Sequence, residues 1–282
     1  MNYRHIFHAG NRCDVVKHAV LTLILGHLLT KDKGFVIIDT HAGSGLYDLA
    51  DTRALKTNEA AQGIGFLLDA LPLPALVDYY KVLRKVNPLW DGAHAEGMRT
   101  YPGSPLVAFH LLREQDRVAA CELHPEEAEA LRIHSPANKR LQIHTRDGYE
   151  ALSALLPPPE KRGLVLIDPP YEHPDEFTHV VAHLTQAWKR WPTGIYAVWY
   201  PIKERPAIWR FHEALTTSGI GKILAAEFIY EEETRADRLN GSGLIIVNPP
   251  WKFDAQLSAL FPELHRAMKT SYHGVTVKHL VG

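Results

Sequence analysis

The four residues Asp168-Pro169-Pro170-Tyr171 combine an acid, two imino acids and an aromatic ring. That set suits the handling of a flat base bearing an amine. They follow a short apolar run, Leu164-Val165-Leu166-Ile167, that reads as a buried parallel strand. Proline has no N–H and a fixed φ, so the turn is stiff and offers carbonyls without competing donors. The Asp168 carboxylate and the Pro169 carbonyl can each accept one hydrogen of an exocyclic NH2, and the Tyr171 ring can lie flat against the base. An Asp-Pro-Pro turn can equally be plain strand punctuation, so the tetrapeptide needs support from elsewhere in the chain.

That support comes from other strand ends. Asp39-Thr40-His41-Ala42-Gly43-Ser44-Gly45 closes a predicted strand at 35–38, and its glycines let backbone approach a ligand where a Cβ would block it. Glu122 ends a strand at 118–122 and can accept two hydrogen bonds from ribose hydroxyls. Asp147-Gly148 follows a strand at 141–144; the acid can accept from an adenine amine and the glycine leaves room for the ring. Each acid alone is an ordinary cap or turn residue. Their occurrence in order, at successive strand ends, points to one crevice that holds a nucleoside. The dinucleotide fingerprint is incomplete, because Gly43-Ser44-Gly45-Leu46-Tyr47-Asp48 lacks the third glycine of G-x-G-x-x-G. No Gly-Lys-Ser/Thr of a phosphate loop follows either. A nucleoside cofactor without phosphate, S-adenosylmethionine, fits these loops. The tetrapeptide is similar to the (D/N/S)-P-P-(Y/F/W) signature of S-adenosylmethionine-dependent amino-methyltransferases, which act on N6 of adenine or N4 of cytosine. Asn248-Pro249-Pro250-Trp251 matches the same pattern, but follows a strand at 244–247 that reads as an antiparallel edge, where Pro-Pro more simply ends a sheet.

The positioning elements follow from periodicity. Val16, Val20, Ile24 and Leu28 mark a helix to about residue 30, with Asp14 as its expected N-cap. Residues 55–93 read as helical, broken at Leu71-Pro72-Leu73-Pro74, and form an expected small insertion at 51–97 within a domain made of 1–50 and 98–282. Tyr101-Pro102-Gly103-Ser104-Pro105 is a turn, with Ser104 as expected N-cap of a helix to about residue 114. Helices at 125–133, 148–156, 175–190 and 204–217 alternate with strands at 118–122, 141–144, 164–168 and 195–200. Strands at 223–230 and 244–247 have no helix between them and read as an antiparallel pair. The pattern predicts an α/β fold, a mostly parallel doubly wound sheet of seven strands with an antiparallel edge.

Composition narrows the class further. The chain has 282 residues, 46% hydrophobic and 22% charged, with a net charge of −1. Nucleic acid, if bound, must meet a local basic patch. The N-terminal segment supplies Arg4, Arg12 and Lys17 against the single acid Asp14, with His5, His8 and His18, and is the best local candidate for phosphate contact and base stacking. His5-x-x-His8 lacks a further carboxylate or thiol at ligand spacing, so no metal is expected. Two cysteines, Cys13 and Cys121, are too few for a disulfide framework and favour a reducing cytoplasm. The longest apolar stretch, about 20–29, is too short to span a bilayer, and the polar, His-rich first residues lack a signal-peptide pattern.

Taken together, Tyr3-Arg4-His5, Phe7-His8-Ala9-Gly10-Asn11, Val16-Lys17-His18, Asp39-Thr40-His41-Ala42-Gly43, Tyr101-Pro102-Gly103-Ser104-Pro105, Glu122-Leu123-His124-Pro125, Arg146-Asp147-Gly148, Ile167-Asp168-Pro169-Pro170-Tyr171-Glu172 and Trp199-Tyr200-Pro201 resemble the RlmJ family along essentially the whole chain. These are bacterial 23S ribosomal RNA adenine-N6 methyltransferases. The resemblance implies a class I (Rossmann-like) methyltransferase fold with a helical insertion after the first strand. It implies cofactor contacts at His18, His41, Ser104, Glu122, Asp147 and Gly148, Asp168 as catalytic proton acceptor, and Tyr3 as a residue meeting the RNA. A cytoplasmic monomer acting on 23S ribosomal RNA is expected. The residue pattern alone gives an amino-methyltransferase. A DNA adenine methyltransferase and a non-catalytic RNA-binding protein on the same scaffold remain the alternatives.

Overall fold

The structure, a computed structural model, describes residues 4–232 and 238–282. Its first sheet strand shows how the chain divides apolar residues between two layers. In β1 (Val36–Asp39), Ile37 enters one apolar cluster while Val36 and Ile38 enter another, as the two-residue period of a strand requires. The first cluster lies under α1 (Arg12–Leu29) and under elements described below; the second lies on the opposite face.

After β1, the short strand β2 (Leu46–Asp48) leads to α2 (Thr52–Thr57), a helical turn at Ala61–Gly65, α3 (Phe66–Asp69), a further turn at Pro74–Leu76 and α4 (Val77–Val86). The chain returns through β3 (Thr100–Pro102), which pairs antiparallel with β2 outside the main sheet. That ribbon has no counterpart in the sequence reading, because three-residue strands are too short to show a period. Then come α5 (Ser104–Leu111), β4 (Arg117–Glu122), α6 (Pro125–His134), β5 (Leu141–Thr145), α7 (Gly148–Leu155), β6 (Gly163–Ile167), α8 (Glu176–Arg190), β7 (Ile195–Ile202), α9 (Arg205–Thr217), β8 (Ile223–Ile229), β9 (Gly241–Val247), α10 (Phe253–Ala267) and β10 (Gly274–Val281). Helices α1, α5 and α10 feed the first cluster; α7, α8 and α9 feed the second.

The main sheet runs β10-β8-β9-β7-β6-β1-β4-β5. The pairs β5-β4, β4-β1, β1-β6 and β6-β7 are parallel, while β9 inserts antiparallel between β7 and β8. This is the class I methyltransferase arrangement, with the expected antiparallel pair at one side. The sheet has eight strands, not seven. The eighth is β10, antiparallel to β8, delivered there by α10. Phe253, Leu257, Leu260, Phe261 and Leu264 make one apolar face of α10, and Phe228 of β8 meets Phe261 edge-on at 5.7 Å. β10 covers the open edge of β8, which would otherwise present unpaired backbone groups.

Two expected caps sit elsewhere. Asn11, not Asp14, caps α1, its side chain accepting from the Asp14 N–H at 2.9 Å; such a cap contributes about 1 kcal/mol. Gly103, not Ser104, precedes α5, and that helix stops at Leu111 rather than near residue 114. Both displaced residues are occupied in the site below. Among the described residues no helix is long and apolar enough to cross a membrane.

Candidate active site

The parallel register aligns the carboxyl ends of β1, β4, β5 and β6 on one edge: Asp39 lies beside Ala120 and Leu166, and Glu122 beside Thr145. Backbone bonds knit the loops that follow. Thr40 N–H donates to Leu166 O at 3.0 Å, Ala42 N–H to Cys121 O at 2.9 Å, and Arg146 N–H to Glu122 O at 3.0 Å. His41, Glu122, Asp147 and Asp168 therefore share one edge, where ligands of such sheets bind. The Asn248-Pro249-Pro250-Trp251 turn lies on the opposite edge. β9 runs antiparallel, so Val247 faces Tyr196 at the start of β7. There the Asn248 amide donates to the carbonyls of Pro192 at 2.8 Å and Gly194 at 2.7 Å, a structural tie.

Glu122 organises the first loop. Its Oε2 accepts from Gly43 N–H and its Oε1 from His124 N–H, both at 2.8 Å. Each oxygen keeps a lone pair for a hydroxyl donor. Gly43 has φ +60°, and a Cβ there would sit 2.3 Å from the Tyr47 hydroxyl. Gly148 tolerates no side chain either, since its Cβ would lie 2.0 Å from Thr40 O. Its smallness lets the loops after β1 and β5 touch. Asp147 caps α7 by accepting from Glu150 N–H at 3.0 Å.

His41 accepts or donates at 2.7 Å with the Thr40 hydroxyl and meets the Tyr149 ring edge-on at 5.3 Å. Burial pushes its pKa down to about 4, against the pull of the Asp168 and Asp147 carboxylates. The imidazole is neutral at neutral pH. Ser104 Oγ donates to Asp39 Oδ2 at 2.6 Å in a buried contact. Burial raises Asp39 to about 6, with the Asp168 charge adding to the rise and the Ser104 bond opposing it.

Asp168 itself is held from an unexpected direction. Lys17 of α1 places its ammonium 2.5 Å from Asp168 Oδ2 and 2.9 Å from Asp14 Oδ1. Asp14 Oδ2 in turn accepts from Gly10 N–H at 3.0 Å and pairs with His5 Nε2 at 2.9 Å. Lys17 and Asp14 are 5% and 3% exposed. Burial opposes charge on both, yet their neighbours prevail: Asp14 and Asp168 hold Lys17 well above, and His5 and Lys17 hold Asp14 well below, the ordinary value. Lys17 is thus no phosphate-binding surface residue, a correction to the sequence reading. The other basic residues of the segment diverge too: Arg4 pairs with Glu126 at 3.6 Å and Arg12 stacks over the Tyr230 ring at 5.3 Å. Tyr3 lies outside the described residues.

His18, one turn from Asp14, is fully buried. Its Nδ1 is 2.8 Å from the Tyr101 hydroxyl, its ring stacks on Tyr101 at 5.4 Å, and its Nε2 has no partner. Burial drives its pKa down to about 3. Pro169 is buried. Tyr171 takes φ +50°, donates its hydroxyl to Trp199 O at 2.8 Å and packs against Phe177 and Trp199. The residues that sequence reasoning missed here are Lys17 as the partner of Asp168, Asp14 as the second partner of Lys17, and Tyr149 and Tyr101 as partners of the two histidines. The i, i+3 spacing of Asp14 and Lys17 was the one available signal.

A methyltransferase sheet with acids at its carboxyl edge and an Asp-Pro-Pro-Tyr turn among them defines a class I methyltransferase. Comparison with known proteins makes this specific. The family model described as "Ribosomal RNA large subunit methyltransferase D, RlmJ" matches residues 32–281. The chain is 41% identical over 269 residues to Ribosomal RNA large subunit methyltransferase J of Haemophilus influenzae, covering 95% of this chain and 94% of that one. It is 42% identical over 266 residues to the protein of the same name from Escherichia coli K12, covering 94% and 93%. A crystal structure of a Legionella pneumophila protein matches with a TM-score of 0.86 at 34% identity, over 96% of this chain and 98% of that one. The chain belongs to the RlmJ family of ribosomal RNA large subunit methyltransferases.

Proposed function

We propose that this protein transfers a methyl group from S-adenosylmethionine to the exocyclic N6 of an adenine in 23S ribosomal RNA. Residues 51–97 form a helical insertion in the methyltransferase domain of 1–50 and 98–282. The observation that carries the reading is the position of Asp168 on the same sheet edge as His41, Glu122 and Asp147, with one oxygen fixed by Lys17. The residues fit the cofactor: His18 Nε2 is a buried nitrogen awaiting a partner, and Glu122 keeps lone pairs for ribose hydroxyls. His18, His41, Ser104, Glu122, Asp147 and Gly148 would hold it.

When bound, S-adenosylmethionine supplies an electrophilic methyl carbon on a good leaving centre. The adenine amine is a poor nucleophile because its lone pair is delocalised into the ring. Asp168 and the Pro169 carbonyl each accept one N–H, and holding both hydrogens frees the lone pair for attack. Lys17 occupies Asp168 Oδ2, leaving Oδ1 for the amine. The acceleration is positioning plus electrostatics. Asp168 or water then takes the proton of the methylated nitrogen. The base leaves its stack to enter the site, with Tyr171 as its expected new neighbour. Tyr3 is the residue expected to meet the RNA.

The test is tritiated-methyl transfer to a 23S ribosomal RNA transcript and to duplex DNA, with mass spectrometry of the nucleosides. N6-methyladenosine in the RNA alone is expected. Methylation of DNA in preference, or of another atom, sinks the reading. Asp168→Ala abolishes transfer while calorimetry still detects S-adenosylhomocysteine; equal loss of both would make Asp168 a structural or cofactor residue.

A further inference from the structure

The helical segment between β2 and β3 reaches the cofactor side of the molecule through one file of buried groups. Tyr79 of α4, Tyr101 of β3 and His18 of α1 are each 0% exposed. The Tyr79 and Tyr101 hydroxyls are 2.7 Å apart, and Tyr101 is 2.8 Å from His18 Nδ1. Tyr79 also meets the His18 ring edge-on at 6.2 Å. Among the described residues the Tyr79 hydroxyl has no other partner, and His18 Nε2 has none at all.

Proton counting orients the file. If Tyr79 donates to Tyr101 and Tyr101 to Nδ1, both hydroxyl protons are placed. His18 then carries its hydrogen on Nε2, and only that N–H lacks a partner. If Nδ1–H donates to Tyr101 instead, one of the two tyrosine protons has no acceptor, and the bare Nε2 lone pair is stranded as well. Buried donors and acceptors are rarely left unpaired, so the arrangement with one orphan prevails over those with two. Burial keeps the ring neutral, which excludes the form that donates from both nitrogens.

We propose that Tyr101 is a positioning residue for the cofactor: by donating to His18 Nδ1, with Tyr79 donating to it from behind, it fixes His18 in the Nε2–H tautomer, so that a buried donor is presented to an anionic oxygen of the ligand. The inference rests on the reading of His18 as a cofactor contact. The strongest acceptor that S-adenosylmethionine offers such a donor is its carboxylate.

The experiment uses full-length protein labelled with 15N-histidine, wild type and Tyr101→Phe, which removes the hydroxyl that donates to His18 and keeps the ring. Multiple-bond proton–nitrogen correlation spectra report which His18 nitrogen carries hydrogen, and calorimetry with S-adenosylhomocysteine reports affinity. The wild type is expected to show Nε2–H. Tyr101→Phe is expected to show a mixture of tautomers, about 5- to 10-fold weaker binding and a raised KM for S-adenosylmethionine with little change in kcat. His18→Gln supplies an amide donor with no tautomer to fix, so adding Tyr101→Phe to it should weaken binding no further. This cycle also serves if Tyr101→Phe alone folds poorly. A wild-type Nδ1–H signal, or unchanged affinity in Tyr101→Phe, overturns the proposal. Failure of the wild type to bind S-adenosylhomocysteine, with the tautomer as expected, overturns the cofactor reading instead.

Discussion

Replacing Lys17 by methionine removes the ammonium while keeping most of the side-chain volume. Its charge lies 2.5 Å from Asp168 and 2.9 Å from Asp14, and both Lys17 and Asp14 are nearly inaccessible. Removing one member of a buried ion pair costs about 3–5 kcal/mol, because the partner's charge is left without compensation. Here two carboxylates lose their shared cation. His5 still pairs with Asp14 at 2.9 Å, which argues for the lower half of that range. Unfolding entropy is about 2.1 cal/mol/K per residue, so a chain of this length has roughly 0.6 kcal/mol/K. The melting temperature should therefore fall by roughly 5–7 °C. Methyl transfer should fall more than about tenfold, since Asp168 loses the contact that fixes one of its oxygens.

The double variant Lys17→Met with Asp14→Asn separates the two effects. Neutralising Asp14 removes one uncompensated charge and should restore part of the lost stability. It does nothing for Asp168, so activity should stay low. Thermal denaturation followed by circular dichroism and single-turnover methyl transfer read the two quantities independently. A Lys17→Met protein that melts within about 1 °C of wild type and turns over normally would refute the reasoning about this cluster. Recovery of activity in the double variant would show that Lys17 acts through fold stability alone.

Three further outcomes follow from the structure. Gly63→Ala places a Cβ 2.2 Å from Gly10 O and 2.4 Å from Asn11 C, both backbone atoms, so the segment before α1 must shift; a loss of about 1–3 kcal/mol and faster proteolysis near residue 10 are expected, and an unchanged denaturation curve would contradict the contact. Asn248→Ala cuts the amide ties to Pro192 and Gly194, costing stability while leaving kcat at the wild-type level in a methyl-transfer assay; loss of activity in folded protein would move the base-binding turn to that edge. Acid should destabilise the fold through its buried histidines while most carboxylates, Asp39 apart, stay charged. Buried His18 and His265 have pKa values pushed down to about 3 and about 4 by burial, so their contribution is complete above the unfolded value near 6.5 and is lost as pH falls toward the folded values. His265→Gln removes one such group, and its urea-measured stability loss between pH 7.5 and pH 5 should be smaller than wild type's by roughly 2 kcal/mol; an equal loss would mean His265 titrates normally.

What the sequence made legible was everything governed by local period. Strands buried on both faces read as apolar runs, and the acids that end them are adjacent in sequence to the runs themselves. That is why Asp39, Glu122, Asp147 and Asp168 could be assigned to one edge before any coordinates. α10 shows the same kind of signal at Phe253, Leu257, Leu260 and Leu264, but the sequence reading places no helix or strand after residue 247, and the eighth strand is absent from it. β10 is half-exposed at an edge, so its alternation is weak.

Lys17 belongs to a different category. Its spacing from Asp14 tells that the two share a face of α1, and nothing nearby in sequence tells that this face meets the tip of β6, 151 positions away. A lysine near a chain terminus, among other basic residues, reads as a solvated phosphate contact unless the crossing of helix over sheet is known. The crossing is set by Val15, Val16, Ala19 and Val20, all at 0% exposure, which seat α1 on the sheet and leave Lys17 no route to solvent. Packing of apolar neighbours thus decides the partner of a charge. It follows that enlarging Ala19 should disturb methyl transfer through the Lys17–Asp168 contact, although Ala19 bears no chemistry of its own.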